Sequence, residues 1–91
     1  MKISFDPAKN ERNIRERELS FERAAEFDFD TAEIHPVLRN RELRYLALGF
    51  LNGRLRVLCF KHVDDGVRVI SFRKANKREV RQYEEGRRDL E

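Results

Sequence analysis

Hydrophobic residues are sparse over the first twenty positions and dense from Tyr45 to Phe72, where they recur at strand spacing. Two strand-length runs, Arg44 to Leu51 and Arg54 to Val63, flank Asn52-Gly53. That dipeptide tolerates φ > 0 at both positions and suits a two-residue hairpin turn. Asp64-Asp65-Gly66 makes the next turn and leads into a third run, in which Val67, Val69, Ile70 and Phe72 fit a buried or half-buried strand ending near Lys74. A helix then starts near Lys77 and runs to about Arg87. Asn76 stands at its N-cap, and Glu79, three residues later, can return a hydrogen bond to the Asn76 backbone N–H.

The N-terminal half reads differently. Lys2 to Phe5 is a short strand, and Asp6-Pro7 is a helix start, with an acceptor at the cap and a residue needing no N–H at the first position. The helix is expected to reach about Arg17, although its apolar content is little more than Ala8 and Ile14. It must therefore lie on the surface and be held by its neighbours. Ser20 caps a second helix, with Phe21, Ala24, Ala25 and Phe27 forming its buried side. Phe27 and Phe29 are read as core residues rather than a base-stacking platform. A turn with Asp28 and Asp30 follows, and Glu33 to Leu38, broken by Pro36, shows no period that assigns it. Three consecutive antiparallel strands with N-terminal helices and a C-terminal helix on one face describe an α+β domain of two layers.

Composition narrows the picture. Ninety-one residues suit one domain, 1–91, burying somewhat more than ~60% of the surface of its unfolded chain. Charged residues make up 41% of the chain, but the clustering of the apolar ones argues for a folded sheet rather than disorder. A net charge of +3 is too small by itself to indicate a nucleic-acid partner. The clustering of Arg73, Lys74, Lys77, Arg78 and Arg81 against the single acid Glu79 is more informative, because a helix N-terminus beside such a cluster attracts phosphate. Cys59 is the one cysteine, so no internal disulfide forms, and its apolar neighbours mark it as a small buried hydrophobe. His35 and His62 do not combine with it at metal-ligand spacing, and there is no glycine-rich phosphate loop, so neither metal nor cofactor is expected. The N-terminus lacks the apolar segment of a signal peptide, and no run approaches the roughly 20 apolar residues of a membrane helix. A cytoplasmic protein without a membrane partner is the expectation.

The segment RVISFRKANKREVRQYE resembles the end of the BrnT family of small toxins, whose usual pattern runs R-x-I-S-A-R-x-A followed by a helix with E-x-x-x-Y. Arg68, Ile70, Ser71, Arg73, Ala75, Glu79 and Tyr83 match it, and Phe72 replaces the usual Ala. The resemblance continues through Phe5-Asp6 with Lys9 and Asn13, the stretch from Phe21 to Asp28, the Glu42-x-Arg44 pair and Gly49. Where the family usually carries K-H-G-V, this chain has Glu16-Arg17-Glu18-Leu19, so Arg17 takes the place of the histidine. The resemblance implies a RelE-like fold and the toxin of a type II toxin–antitoxin system, an endoribonuclease that inhibits translation. It also implies a cognate BrnA-like antitoxin, RNA as substrate, and contact with DNA only through that antitoxin.

Cleaving RNA without a metal requires the 2′-OH to be deprotonated, charge on the crowded phosphate to be stabilised, and the departing 5′-oxygen to be protonated. A guanidinium suits the middle task, which makes Arg73 the leading candidate, with Arg44 and Arg68 behind it. Strand alternation puts Ser71 and Arg73 on one face and Ile70, Phe72 and Lys74 on the other; helices over Ile70 and Phe72 leave Ser71 and Arg73 open, and the opposite choice exposes Arg68 and Lys74. Glu79 is a candidate base, though capping alone accounts for it. Tyr83, one turn on, is a candidate acid or a packing residue, and His62 is a candidate acid or base or a surface polar group. Arg73 has an equally simple reading as an ion pair with Glu79, as Arg44 has with Glu42. The expected catalytic set is Arg73, Glu79, Tyr83, Arg44 and His62, and the expected RNA contacts are Arg68, Lys74, Lys77, Arg78 and Arg81. The alternative is a catalytically inactive module of the same kind that binds RNA or an antitoxin.

Overall fold

A computed structural model describes residues 2–90, with side chains to Arg87. Its elements are β1 (Lys2–Phe5), α1 (Pro7–Arg17), a 3-10 helix (Phe21–Glu26), β2 (Glu33–Arg39), β3 (Glu42–Leu51), β4 (Arg54–Val63), β5 (Gly66–Lys74) and α2 (Lys77–Leu90). Strands β2 to β5 form an antiparallel meander, and β1 lies parallel to β5, giving the order β1-β5-β4-β3-β2. The chain thus begins at one edge of the sheet, and α1 with the 3-10 helix carries it to the opposite edge. Gly66 makes the β1 pairing possible, since a Cβ there would collide with the Lys2 backbone.

The architecture is α+β, as the hydrophobic pattern implies, but three details differ from the sequence-based expectation. The unassigned stretch around Pro36 is strand β2, at the sheet edge, where a missing N–H costs no ladder bond. The Ser20-capped segment is a 3-10 helix, and Ala25 is exposed while Phe21 and Ala24 are buried. The helices also divide between the two faces of the sheet. Neighbouring apolar residues in β3 (Ala47, Leu48) and β4 (Val57, Leu58) point to opposite faces, so both faces of the sheet centre need cover.

Leu19, Phe21, Ala24 and Phe27 cover Ala47, Leu51, Leu58, Phe60, Val67, Val69 and Phe72 on one face. Gly49 lets Phe27 approach the backbone of β3, because a Cβ there would stand 2.7 Å from the ring. On the other face Val80 and Tyr83 of α2 pack on Leu48, Leu55 and Val57. Each such side chain contributes roughly 1.5–3 kcal/mol by burial.

α1 is held in an unusual way for a surface helix. Its Ile14 is 44% exposed, whereas Asn13 is buried and its Nδ2 donates to the carbonyls of Leu19 and Phe72, each at 2.9 Å. The Asn10 Oδ1 accepts from Phe21 N at 2.7 Å. Amide side chains, rather than an apolar stripe, thus dock α1 along the part of β5 that β1 leaves uncovered.

Candidate functional site

The site is built where β5 ends and α2 begins. Asn76 Oδ1 accepts from Glu79 N at 2.8 Å and Glu79 Oε1 accepts from Asn76 N at 2.9 Å, the reciprocal cap expected from the sequence. The same carboxylate receives the fork of Arg73, Nη1 to Oε1 at 2.8 Å and Nη2 to Oε2 at 2.9 Å. One acid therefore stops the helix from fraying and fixes the guanidinium at the strand end. The hydrogen bonds from Arg73 hold Glu79 below the usual carboxylate range, with the Asn76 N–H adding to the effect against desolvation. Arg73 keeps 36% of its side chain exposed, so the pair is reachable from solvent.

A bulge decides which side chains share that face. Cys59 pairs with Ser71 but Phe60 pairs with Val69, so Ile70 has no partner on β4 and the alternation of β5 shifts by one residue. Val67, Val69 and Phe72 consequently enter the same core. Arg68, Ser71 and Arg73 all lie on the other face, a grouping that strict alternation does not allow.

β3 contributes Arg44 to that face through its register with β4. Its Nη2 donates to Glu42 Oε2 at 2.9 Å while Lys61 Nζ donates to Glu42 Oε1 at 2.6 Å, a three-residue network two strands away from Arg73. Both cations hold Glu42 below the usual carboxylate range, Lys61 first. Cys59 lies between these groups, and burial pushes its thiol up, which makes it a poor nucleophile.

The remaining candidates separate. Tyr83 is buried, its ring edge-on to Phe50 and its hydroxyl donating to Thr31 O at 2.8 Å, so it anchors α2. His62 lies on the opposite face from Arg73, packed edge-on against Tyr45 and Phe60. Lys77, Arg78 and Arg81 are exposed on α2. None of these three, nor Arg68 or Lys74, has a carboxylate partner among the described residues.

A concavity of about 460 Å³ opens beside Arg73, walled by Arg17, Glu18, Arg54, Arg56 and Lys74 as well. Sequence reading passes over Arg17, Arg54 and Arg56 as site residues. The available signal is the alternation of Arg54 and Arg56 with Leu55 and Val57, which turns both cations to the face opposite α2. Among the described residues no group of three His, Cys, Asp or Glu side chains is arranged to hold a metal ion, and no helix is long and apolar enough to cross a membrane.

Neither a curated protein nor a solved structure matches the chain. A family model described as "Ribonuclease toxin, BrnT, of type II toxin-antitoxin system" matches residues 5–79, a span that includes the end of β1, strands β2 to β5 and the Arg73–Glu79 pair, and the chain belongs to that family.

Proposed function

We propose that this protein is a single-domain, RelE-like BrnT toxin that cleaves RNA without a metal ion, inhibits translation in the cytoplasm, and is silenced by a BrnA-like antitoxin. The observation that carries this reading is the Arg73 fork, presented at a helix N-terminus beside a cationic concavity in a chain of a ribonuclease toxin family. In the proposed reaction a phosphodiester takes the Arg73 fork from Glu79. Guanidinium and helix N-terminus then stabilise the charge that builds on the phosphorus oxygens as the 2′-oxygen attacks. Glu79, released from Arg73, loses the interaction that depresses its pKa and accepts the 2′-proton. The O2′–P bond forms as the P–O5′ bond breaks, the proton taken up by Glu79 passes to the departing 5′-oxygen, and a 2′,3′-cyclic phosphate remains. Arg44 is a second cation on the same face, and Arg68, Lys74, Lys77, Arg78 and Arg81 steer the RNA backbone. The geometry supports packing roles for Tyr83 and His62.

Partner-free protein incubated with RNA in chelator tests the proposal. Fragments bearing cyclic phosphate are expected, and Arg73→Ala is expected to abolish them. Intact RNA with well-folded protein refutes cleavage and favours the second reading, an inactive module that binds RNA or antitoxin. One observation favours that reading: Arg17, in the place of the family histidine, donates to Asn13 Oδ1 at 2.8 Å and is thereby engaged with the scaffold.

A further inference from the structure

The concavity next to Arg73 has an imbalance that the fold does not require. Of the six residues that wall it, five are cationic and only Glu18 is acidic. Arg54 and Lys74 have no carboxylate partner among the described residues, and Arg17 is bonded to a neutral amide. Arg56 stands directly across from Lys74 in the β4–β5 register, a like-charge pairing that destabilises a sheet. Its Nε is buried with no hydrogen-bond partner among the described residues. Burial, with Arg54 and Arg23 nearby, pulls the Arg56 guanidinium below its usual pKa. A buried donor without an acceptor, in a concavity walled by five cations and one acid, favours an anion.

We propose that this concavity is a second phosphate site for the RNA strand, in which Arg54 and Arg56 grip a backbone phosphate flanking the one held at Arg73. The proposal rests on the ribonuclease reading. Guanidinium forks match phosphate oxygens, and two such groups on one strand, two residues apart, offer donors that a lone ammonium does not. Arg73 lies on the α2 face and Arg54 and Arg56 on the other, but Arg73 also forms a wall of the concavity, so the three guanidinium groups come together at one end of the sheet. A smaller concavity of about 170 Å³, also walled by Arg17, adds Lys9 and Arg12, with Glu16 as its one acid, further along the α1–β5 edge. Cations in such a succession suit the regular phosphates of a polynucleotide.

The test measures binding of an uncleavable 2′-O-methyl RNA oligonucleotide across a salt series, for wild type, Arg54→Gln and the double variant Arg54→Gln/Arg56→Gln. The double variant is expected to bind about tenfold more weakly. The slope of log affinity on log salt is expected to fall by about 0.7, the value for one phosphate that the variant leaves unneutralised. Arg54 is exposed, so its single replacement leaves the fold intact and is expected to show part of both effects. Cleavage by the variants should show a raised KM with kcat held. Unchanged affinity and slope in folded variants overturns the site. A polyglutamate peptide that loses affinity while the oligonucleotide does not also overturns it, by assigning the surface to an acidic protein partner. Binding needs no turnover: a wild type that binds with the full slope but cleaves nothing keeps the second phosphate site and removes the nuclease reading.

Discussion

Two groups of guanidinium side chains meet at the end of β5, and they are paired in opposite ways. Arg73 is bidentate to Glu79, a carboxylate that also caps α2, so its charge is balanced and its orientation is set by two elements at once. Arg54 and Arg56 have no such partner among the described residues, and Arg56 leaves a buried donor unused there. A paired arginine has its charge compensated within the fold, whereas an unpaired, partly buried one costs stability unless a ligand supplies the missing acceptor. On the proposed reading, the difference separates a group placed for geometry from a group kept for charge.

The largest expected effect tests the geometric side. Arg73→Lys keeps the charge but loses the planar fork, and kcat for RNA cleavage should fall about 10²-fold or more while oligonucleotide binding falls far less. A lysine variant with near-normal turnover reduces Arg73 to a point charge and erases the contrast with Arg54 and Arg56.

Asn13→Leu tests what holds Arg17 and α1 against the concavity. Two buried carbonyls, those of Leu19 and Phe72, lose their donor, so urea unfolding should show a loss of about 1–3 kcal/mol with an unchanged slope. A neutral result indicates that α1 is docked by something other than its amides.

Glu79→Gln separates pairing from capping, because glutamine can still complete the reciprocal cap. Stability at pH 7 should drop by about 0.5–1 kcal/mol, the value of a partly exposed pair. The folded protein holds Glu79 below its ordinary 4.5, so this contribution is full above that pH and is lost as pH falls through the lowered value. The gap between wild type and variant should therefore close in acid, as thermal melts at a series of pH values will register. At neutral pH the freed Arg73 should bind RNA more tightly but cleave it more slowly, since the proposed base is gone.

Arg41→Gly, far from both groups, is the small-effect control. Arg41 has φ 65°, and glycine there should raise stability by a few tenths of a kcal/mol, leaving the salt dependence of RNA binding untouched. A changed salt slope brings the β2–β3 turn into the RNA surface.

That turn also explains why part of the fold escapes a reading of the letters. Two of the three hairpin turns carry φ > 0 at their two central residues, Asn52-Gly53 at 49° and 76° and Asn40-Arg41 at 50° and 65°. Only the first advertises it, since glycine adopts that conformation without strain and arginine reveals nothing about adopting it. Strand β2 goes unseen with its turn, and Pro36 hides it further because its tolerance depends on an edge position that only the sheet order defines. At the site, the Asn76–Glu79 cap is readable because its bonds span three residues. The Ile70 bulge is not, because it is a property of two strands in register.

Local chemistry in the chain alone determined the strand and helix limits around the site, the cap that stops α2 from fraying, and the supply of cations near it, all of which depend on neighbours within one turn or one pleat. The face on which Arg68, Ser71 and Arg73 converge, the separation of His62 from them, and the meeting of Arg54 and Arg56 with Arg17 were decided only by the tertiary structure. A register shift, a sheet order and a helix docked by a buried amide each join residues tens of positions apart, and no pattern along the chain carries that distance.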